Sequence, residues 1–120
     1  MKIYSFGYKY GEGKPEADVT FDLRNKLRNP VSHLPKGAIG LDRIVINTVL
    51  GSDANKKVFS KVFRKITKHM KKHGDDISIA FGCTSGIHRS VVFAEEFARQ
   101  FAKKKCHLEV THVHLKGDKS

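Results

Sequence analysis

At 120 residues the chain has the length of one ordinary domain with a single core, and no internal repeat is visible. Its 23 Lys and Arg against 12 Asp and Glu leave a formal charge of +11, which points to anionic partners: nucleic acid, a phosphorylated metabolite or an acidic surface. Only two cysteines, Cys83 and Cys106, are present, which argues against a disulfide framework or zinc knuckle; Met1 to Gly7 is too short and polar for a signal peptide, and no apolar run nears the roughly 20 residues that span a bilayer, so a cytoplasmic protein is expected.

In chain order, Lys2–Tyr8 and Asp18–Leu23 have the alternation and β-branched or aromatic content of strands, broken by Gly11, Gly13 and Pro15. Asn25–Gly40 reads as a long loop and Leu41–Leu50 as a short helix. From Ala54 to His73, Val58, Phe59, Val62, Phe63, Ile66 and Met70 recur at steps of three and four, one face of a helix for which Asp53 is the expected N-cap. Its remaining surface carries Lys56, Lys57, Lys61, Arg64, Lys65, Lys68, Lys71 and Lys72 without one acid from Ala54 through Gly74. Like charges at helical spacing repel, so this face reads either as a nucleic-acid surface or as a solvated face that keeps the protein soluble. His69 and His73 extend it.

Ile77–Phe81 has the continuous apolar look of a strand buried on both faces, which predicts a parallel sheet with helices on either side. Ser90 is the expected cap of a following helix in which Ala94, Phe97, Ala98 and Phe101 face inward and Glu95 pairs with Arg99. His107–Leu115 reads as a last strand. The fold class expected is therefore α/β, a mostly parallel sheet of about four strands with flanking helices.

Between the third strand and its helix lies Gly82-Cys83-Thr84-Ser85-Gly86-Ile87-His88-Arg89-Ser90. A strand ending in a glycine-bracketed turn that feeds a helix start aims backbone N–H groups and the positive end of the helix dipole at one point, which predicts an anion cradle for a phosphate or sulfate group. Cys83 and Arg89 have five residues between them, as in protein-tyrosine-phosphatase loops, and the donors that bind phosphate would also favour a thiolate at Cys83. Phosphate binding and nucleophilic catalysis both fit this run, and so does a plain tight turn around a small buried cysteine.

Lys9, Asp22 and Arg24 stand just past the first two expected strands, where the cations would add positive charge beside a phosphate and Asp22 could accept from sugar hydroxyls. His88 sits within the cradle as a donor or proton carrier. His112 and His114 share one face of the last strand without an acidic or cysteine cluster beside them, so no metal and no cofactor are expected. A phosphatase would also need a general acid, for which Asp22, Asp42 and Asp53 are the candidates, none marked by its surroundings. No G-x4-G-K-[ST] motif is present.

Ser5-Phe6-Gly7-Tyr8-Lys9-Tyr10-Gly11, Phe21-Asp22-Leu23-Arg24 with Asn29-Pro30, Gly40-Leu41-Asp42, Gly82 through Val91, and Val110-Thr111-His112 together resemble the C-terminal domain of the RNase adapter family RapZ, also called YvcJ, over nearly the whole chain. The resemblance implies a small α/β domain that binds a phosphorylated amino sugar in the cradle and regulatory RNA through basic surface, an adapter and not a catalyst, with oligomerisation part of RNA binding. By matching position, Lys9, Asp22, Cys83, Thr84, Ser85, Gly86, His88 and Arg89 would line the pocket. The family usually joins this domain to an N-terminal P-loop ATPase-like domain that this sequence does not contain. The chain is one residue longer between Arg24 and Pro30, has Val31 where a histidine is usual with His33 nearby, ends in His112-Val113-His114 instead of His-Arg-Asp, and keeps only Lys116, Lys119 and their neighbours of the basic tail.

The expectation is thus one stand-alone RNA-binding regulatory domain, with Lys9, Asp22, Arg24 and residues 82–90, Ile87 and Ser90 included, as its anion site. Lys57, Lys61, Arg64, Lys65, Lys68, Lys71 and Lys72 form its RNA face, and homo-oligomer formation goes with it. The alternatives are a phosphatase using Cys83 and Arg89, and a module docking on an acidic protein.

Overall fold

The computed structural model describes residues 1–27, 34–103 and 107–115. The middle of the expected Asn25–Gly40 loop, with Val31 and His33, lies outside the described residues, as do Cys106, Lys116 and Lys119.

The strands are β1 (Lys2–Gly7), β2 (Val19–Asp22), β3 (Ser78–Cys83) and β4 (Glu109–His112), and the helices α1 (Arg43–Leu50), α2 (Asp53–His73) and α3 (Arg89–Ala102). The sheet is parallel throughout, in the order β2-β3-β1-β4. Register pairs Ile3 with Ile79 and Val110, Ser5 with Phe81 and His112, and Gly7 with Cys83. The expected last strand is real but shorter than His107–Leu115: Val113 N–H donates to Ser5 O and the Met1 amino group to His107 O, one bond past each end, and residues 113–115 then form a turn.

Ile3, Ile79, Phe81 and Phe21 form one core with Val45 and Val49 of α1, Phe59, Val62 and Ile66 of α2, and Val92, Phe93 and Phe97 of α3. All three helices therefore share one core on one side of the sheet, a correction to the expectation of helices on either side. The β1–β2 connection that would cover the other side holds a 3-10 turn, Tyr8–Tyr10, ended by Gly11 at φ +66°, and no α-helix. On that side Tyr8 packs edge-on against Phe6 at 4.8 Å. Within the core Phe97 is fully buried among Phe59, Phe63, Phe81 and Phe101, ring centroids 4.4 to 6.5 Å away. Such aromatic clusters bury large areas and add specific ring–ring attraction.

Three local expectations are corrected. Ser52, not Asp53, caps α2, accepting from Asn55 N–H at 3.3 Å, while Asp53 supplies the first-turn negative charge and Lys71, Lys72 and His73 complement the dipole at the other end. Helix α3 begins at Arg89 behind His88 with no side-chain cap, so Ser90 lies inside the helix and turns its hydroxyl to Cys83. Arg99 pairs with Glu96 one turn below, and Glu95 is taken by His112. Arg99 holds the Glu96 carboxyl below the usual carboxylate range. A polar tie absent from the sequence reading joins the first two helices, with buried Asn55 donating to Val49 O at 2.9 Å. No described helix is long and apolar enough to cross a membrane.

Candidate functional site

Because every strand is parallel, the carboxyl ends of β1, β2, β3 and β4 lie at one edge, where open α/β sheets leave a crevice for ligands. This edge brings together Lys9 after β1, Asp22 and Arg24 at β2, residues 82–90 after β3, and His112 and His114 at β4. The loop after β3 is laid directly on β1. Lys9 N–H donates to Thr84 O at 3.0 Å, and Gly86, at φ +75°, passes so close that a Cβ would stand 2.6 Å from Gly7 N and 2.8 Å from the Phe6 carbonyl carbon. Among the described residues no acceptor takes the backbone N–H of Ser85, Gly86, Ile87 or His88. Four successive backbone donors without an acceptor among the described residues thus stand at the start of α3.

The side chains of the run are turned to different tasks. Cys83 is buried, its thiol donating to Ser90 Oγ at 3.1 Å while Ser90 N–H donates to Sγ at 3.4 Å. Arg89 is also buried; its guanidinium donates to the carbonyls of Arg24 (3.2 Å) and Leu27 (3.1 Å) and to Thr84 Oγ1 (3.3 Å). These three acceptors hold the turn after β2 against the loop after β3. His88 Nε2 donates to Ala38 O at 2.7 Å, and Ile87 O accepts from Gly40 N–H, so the segment before α1 is tied to the same loop. Thr84 is exposed, and Ser85 and Ile87 are partly so.

At the mouth, Arg24 forks onto Asp22, with NH2 to Oδ2 at 2.6 Å, and its guanidinium lies 3.8 Å from the centroid of the Tyr8 ring. The Arg24 hydrogen bonds hold the Asp22 carboxyl below its ordinary range, and partial burial raises the Tyr8 hydroxyl. Asp22 is thus engaged by Arg24 in this structure. Lys9 is exposed, its ammonium 5.2 Å from the Tyr10 ring.

Two histidines that the sequence reading weighed only as metal ligands brace the site. His112 takes Ser5 Oγ on Nδ1 at 2.6 Å and Glu95 on Nε2 at 2.7 Å. His114 accepts the N–H of Gly7 on Nδ1 at 2.8 Å, donates to Glu12 O at 3.1 Å, and stacks on Tyr10 at 4.2 Å. Their period-two spacing at the end of β4 was the available signal. No group of three metal-ligating side chains occurs among the described residues. Of the carboxylates weighed as general acids, Asp42 accepts from Ile39 N–H and Asp53 opens α2.

The second candidate surface is α2. Lys57, Lys61, Arg64, Lys65, Lys68, Lys71 and Lys72 are all exposed. At 3.6 residues per turn they fall within an arc of roughly 120° and along about 22 Å of helix. None of them forms an ion pair with a described residue. Helix α2 runs into the amino end of β3, so the stripe leads away from the loop after β3.

Comparison with known proteins adds to this geometry. The family model of the RapZ C-terminal domain matches residues 1–116. A "Nucleotide-binding protein" of Nitratidesulfovibrio vulgaris (strain DP4) is 37% identical over 122 residues, 96% of this chain and 39% of that protein. Proteins with the same description from Lactobacillus delbrueckii subsp. bulgaricus (34% identical over 118 residues, 93% of this chain) and Pediococcus pentosaceus (38% over 110 residues, 87% of this chain) are covered over 39% and 36% of their lengths. The chain thus spans about two-fifths of the length of these relatives. It belongs to the RapZ C-terminal domain family.

Proposed function

We propose that this chain is a regulatory adapter domain that binds RNA on the α2 face and a small phosphorylated metabolite, of the amino-sugar phosphate class, in the loop Gly82–Ser90. The observation that carries the reading is the unpaired cationic stripe of α2, seven side chains with no acid among them. A helix face that holds so much like charge without compensation is destabilised by it, and a polyanion relieves that cost. The unpaired N–H groups of Ser85 to His88 support the second half, and the names of the relatives agree with a nucleotide-type partner. Oligomer formation is part of the same proposal.

The test is fluorescence anisotropy with a labelled RNA hairpin across a salt series. If about five phosphates are contacted, affinity falls by two to three orders of magnitude between roughly 50 and 200 mM salt. Binding that ignores salt, or no binding at low salt, sinks the RNA reading.

The phosphatase reading has one observation in its favour, the donation of Ser90 N–H to Cys83 Sγ. Against it stand the burial of that sulfur and the engagement of Arg89 by two main-chain carbonyls. The protein is expected to release no phosphate from p-nitrophenyl phosphate; turnover that disappears in Cys83→Ser would move the assignment to that chemistry.

A further inference from the structure

One imidazole holds both ends of the loop that follows β1. Gly7 N–H, the last amide of that strand, donates to His114 Nδ1 at 2.8 Å, and His114 Nε2 donates to the carbonyl of Glu12 at 3.1 Å. Between these two points the ring of Tyr10 stacks on the imidazole at 4.2 Å, and Gly13, at φ +79°, passes so close that a Cβ would stand 3.0 Å from Nε2. The loop clasped in this way carries Lys9, whose N–H donates to Thr84 O at 3.0 Å, and Gly7 itself lies under Gly86, so it rests on the loop after β3.

The partners fix which nitrogen bears the hydrogen. A main-chain N–H only donates and a carbonyl only accepts, so this arrangement needs His114 neutral with its hydrogen on Nε2. A second proton would go to Nδ1 and point at the Gly7 N–H. That amide belongs to the strand and cannot turn away, so it would be left buried without an acceptor. His112, two residues earlier, is built differently: the Ser5 hydroxyl at its Nδ1 can rotate to accept, and Glu95 at its Nε2 offsets a positive charge. The other charged or titratable side chains on the segments packed around His114 are Lys9, Tyr10, Glu12 and Lys14. His114 is only partly buried, so water can deliver the proton.

We infer that His114 is a positioning residue for the anion site proposed above: its neutral form clasps the loop after β1 against the loop after β3, and its protonation releases that loop and weakens anion binding. Only the last step rests on the anion reading. The clasp is closed at neutral pH and is lost as pH falls through the range in which histidine ordinarily titrates, because the open loop accepts a proton for which the closed one has no place. Protonation of the remaining histidines, His88 in the loop after β3 among them, adds positive charge and acts on an anion in the opposite sense.

The test compares the protein with His114→Asn, whose side-chain oxygen can take the Gly7 N–H near the place of Nδ1 without titrating, at about pH 7.5 and about pH 5.5, on either side of the ordinary histidine range. Sulfate is the probe, since its charge is the same at both. Long-range nitrogen–proton NMR spectra at the higher pH are expected to show His114 as the Nε2–H tautomer. At the lower pH the hydrogen-exchange protection of Gly7 should fall about tenfold, the order that one lost hydrogen bond gives, and should hold in His114→Asn. Native sulfate affinity, taken relative to the variant at the same pH, should fall about fivefold, the low end of coupling between linked sites. An Nδ1–H tautomer at the higher pH or a Gly7 protection that does not change overturns the inference, and neither readout needs the variant to fold. An equal change in His114→Asn overturns it too, as does a constant relative sulfate affinity while the loop opens. If sulfate binds the native protein at neither pH, the anion reading itself has failed and the positioning role falls with it.

Discussion

Gly86→Ala is expected to lower the thermal unfolding midpoint by about 12 °C, a loss of about 3 kcal/mol for a chain of this size. Two costs combine. At φ +75° an L side chain occupies the left-handed region at a cost of about 1–2 kcal/mol. The new methyl would also stand 2.6 Å from Gly7 N and 2.8 Å from the Phe6 carbonyl carbon, both main-chain atoms of the central strand that cannot turn aside. Gly11→Ala is the matched control, since Gly11 has φ +66° and nothing within 4 Å of the added carbon, so it bears the first cost alone. Thermal or urea denaturation of the two variants checks this, and equal destabilisation would show that the loop does not rest on β1 as described. Anion binding in the cradle should fall with Gly86→Ala, because the loop must lift off Gly7 to make room.

The triple reversal Lys61→Glu, Lys65→Glu, Lys68→Glu is expected to weaken RNA binding at least a hundredfold at about 100 mM salt and to flatten its salt dependence, as three phosphate contacts are lost and repulsion replaces them. Stability should hold or rise. The three positions are exposed, and the reversed charges at 61 and 68 lie one turn from Lys or Arg that remain, Lys57, Arg64, Lys71 and Lys72, so those like-charge pairs become opposite-charge pairs worth a few tenths of a kcal/mol each, while position 65 keeps its like-charge pairing with the other two. Loss of binding with an unchanged or higher unfolding midpoint therefore cannot come from misfolding. Unchanged affinity would remove α2 from the RNA surface. Measuring phosphate or hexosamine-phosphate affinity of the same variant by calorimetry separates the two sites, since the cradle should not respond.

The sequence carried the elements that depend on periodicity. The steps of three and four from Val58 to Met70 marked α2 to within a residue, and the apolar run Ile77–Phe81 marked β3 and its parallel partners. It also placed the glycine-bracketed loop at the right edge of the sheet. What escaped was which side chains the fold pairs with one another or with the main chain. Asp22 and Arg24 read as two separate strand-end charges, and only the fold shows them locked together over Tyr8. Arg89 read as a fork for an anion, and only the fold shows its reach to the carbonyls of Arg24 and Leu27, more than sixty residues earlier. Ser90 has the residue type of a cap, but Cys83 across the turn competes for its hydroxyl and main-chain N–H, and the helix starts two residues sooner, behind His88. His112 and His114 were seen as a pair and set aside as metal ligands, and their bracing role was missed, because a ring nitrogen offered to Ser5 or to Gly7 N–H leaves no trace in composition.

The position of β1 bears on how the protein is made. Of the strands of this domain β1 is made first and lies inside the finished sheet, yet its partners are Ser78–Cys83 and Glu109–His112. Through the synthesis of more than seventy residues Ile3 and Phe6 have no strand to lie against, and the apolar side of α2 is completed before the sheet that it covers. Assembly in which the earliest segment waits for the last is slow to begin and leaves apolar surface open to chaperones in the interval. Variants that weaken β1, and not those in α2, are therefore the ones whose yield in cells should depend most on the rate of translation.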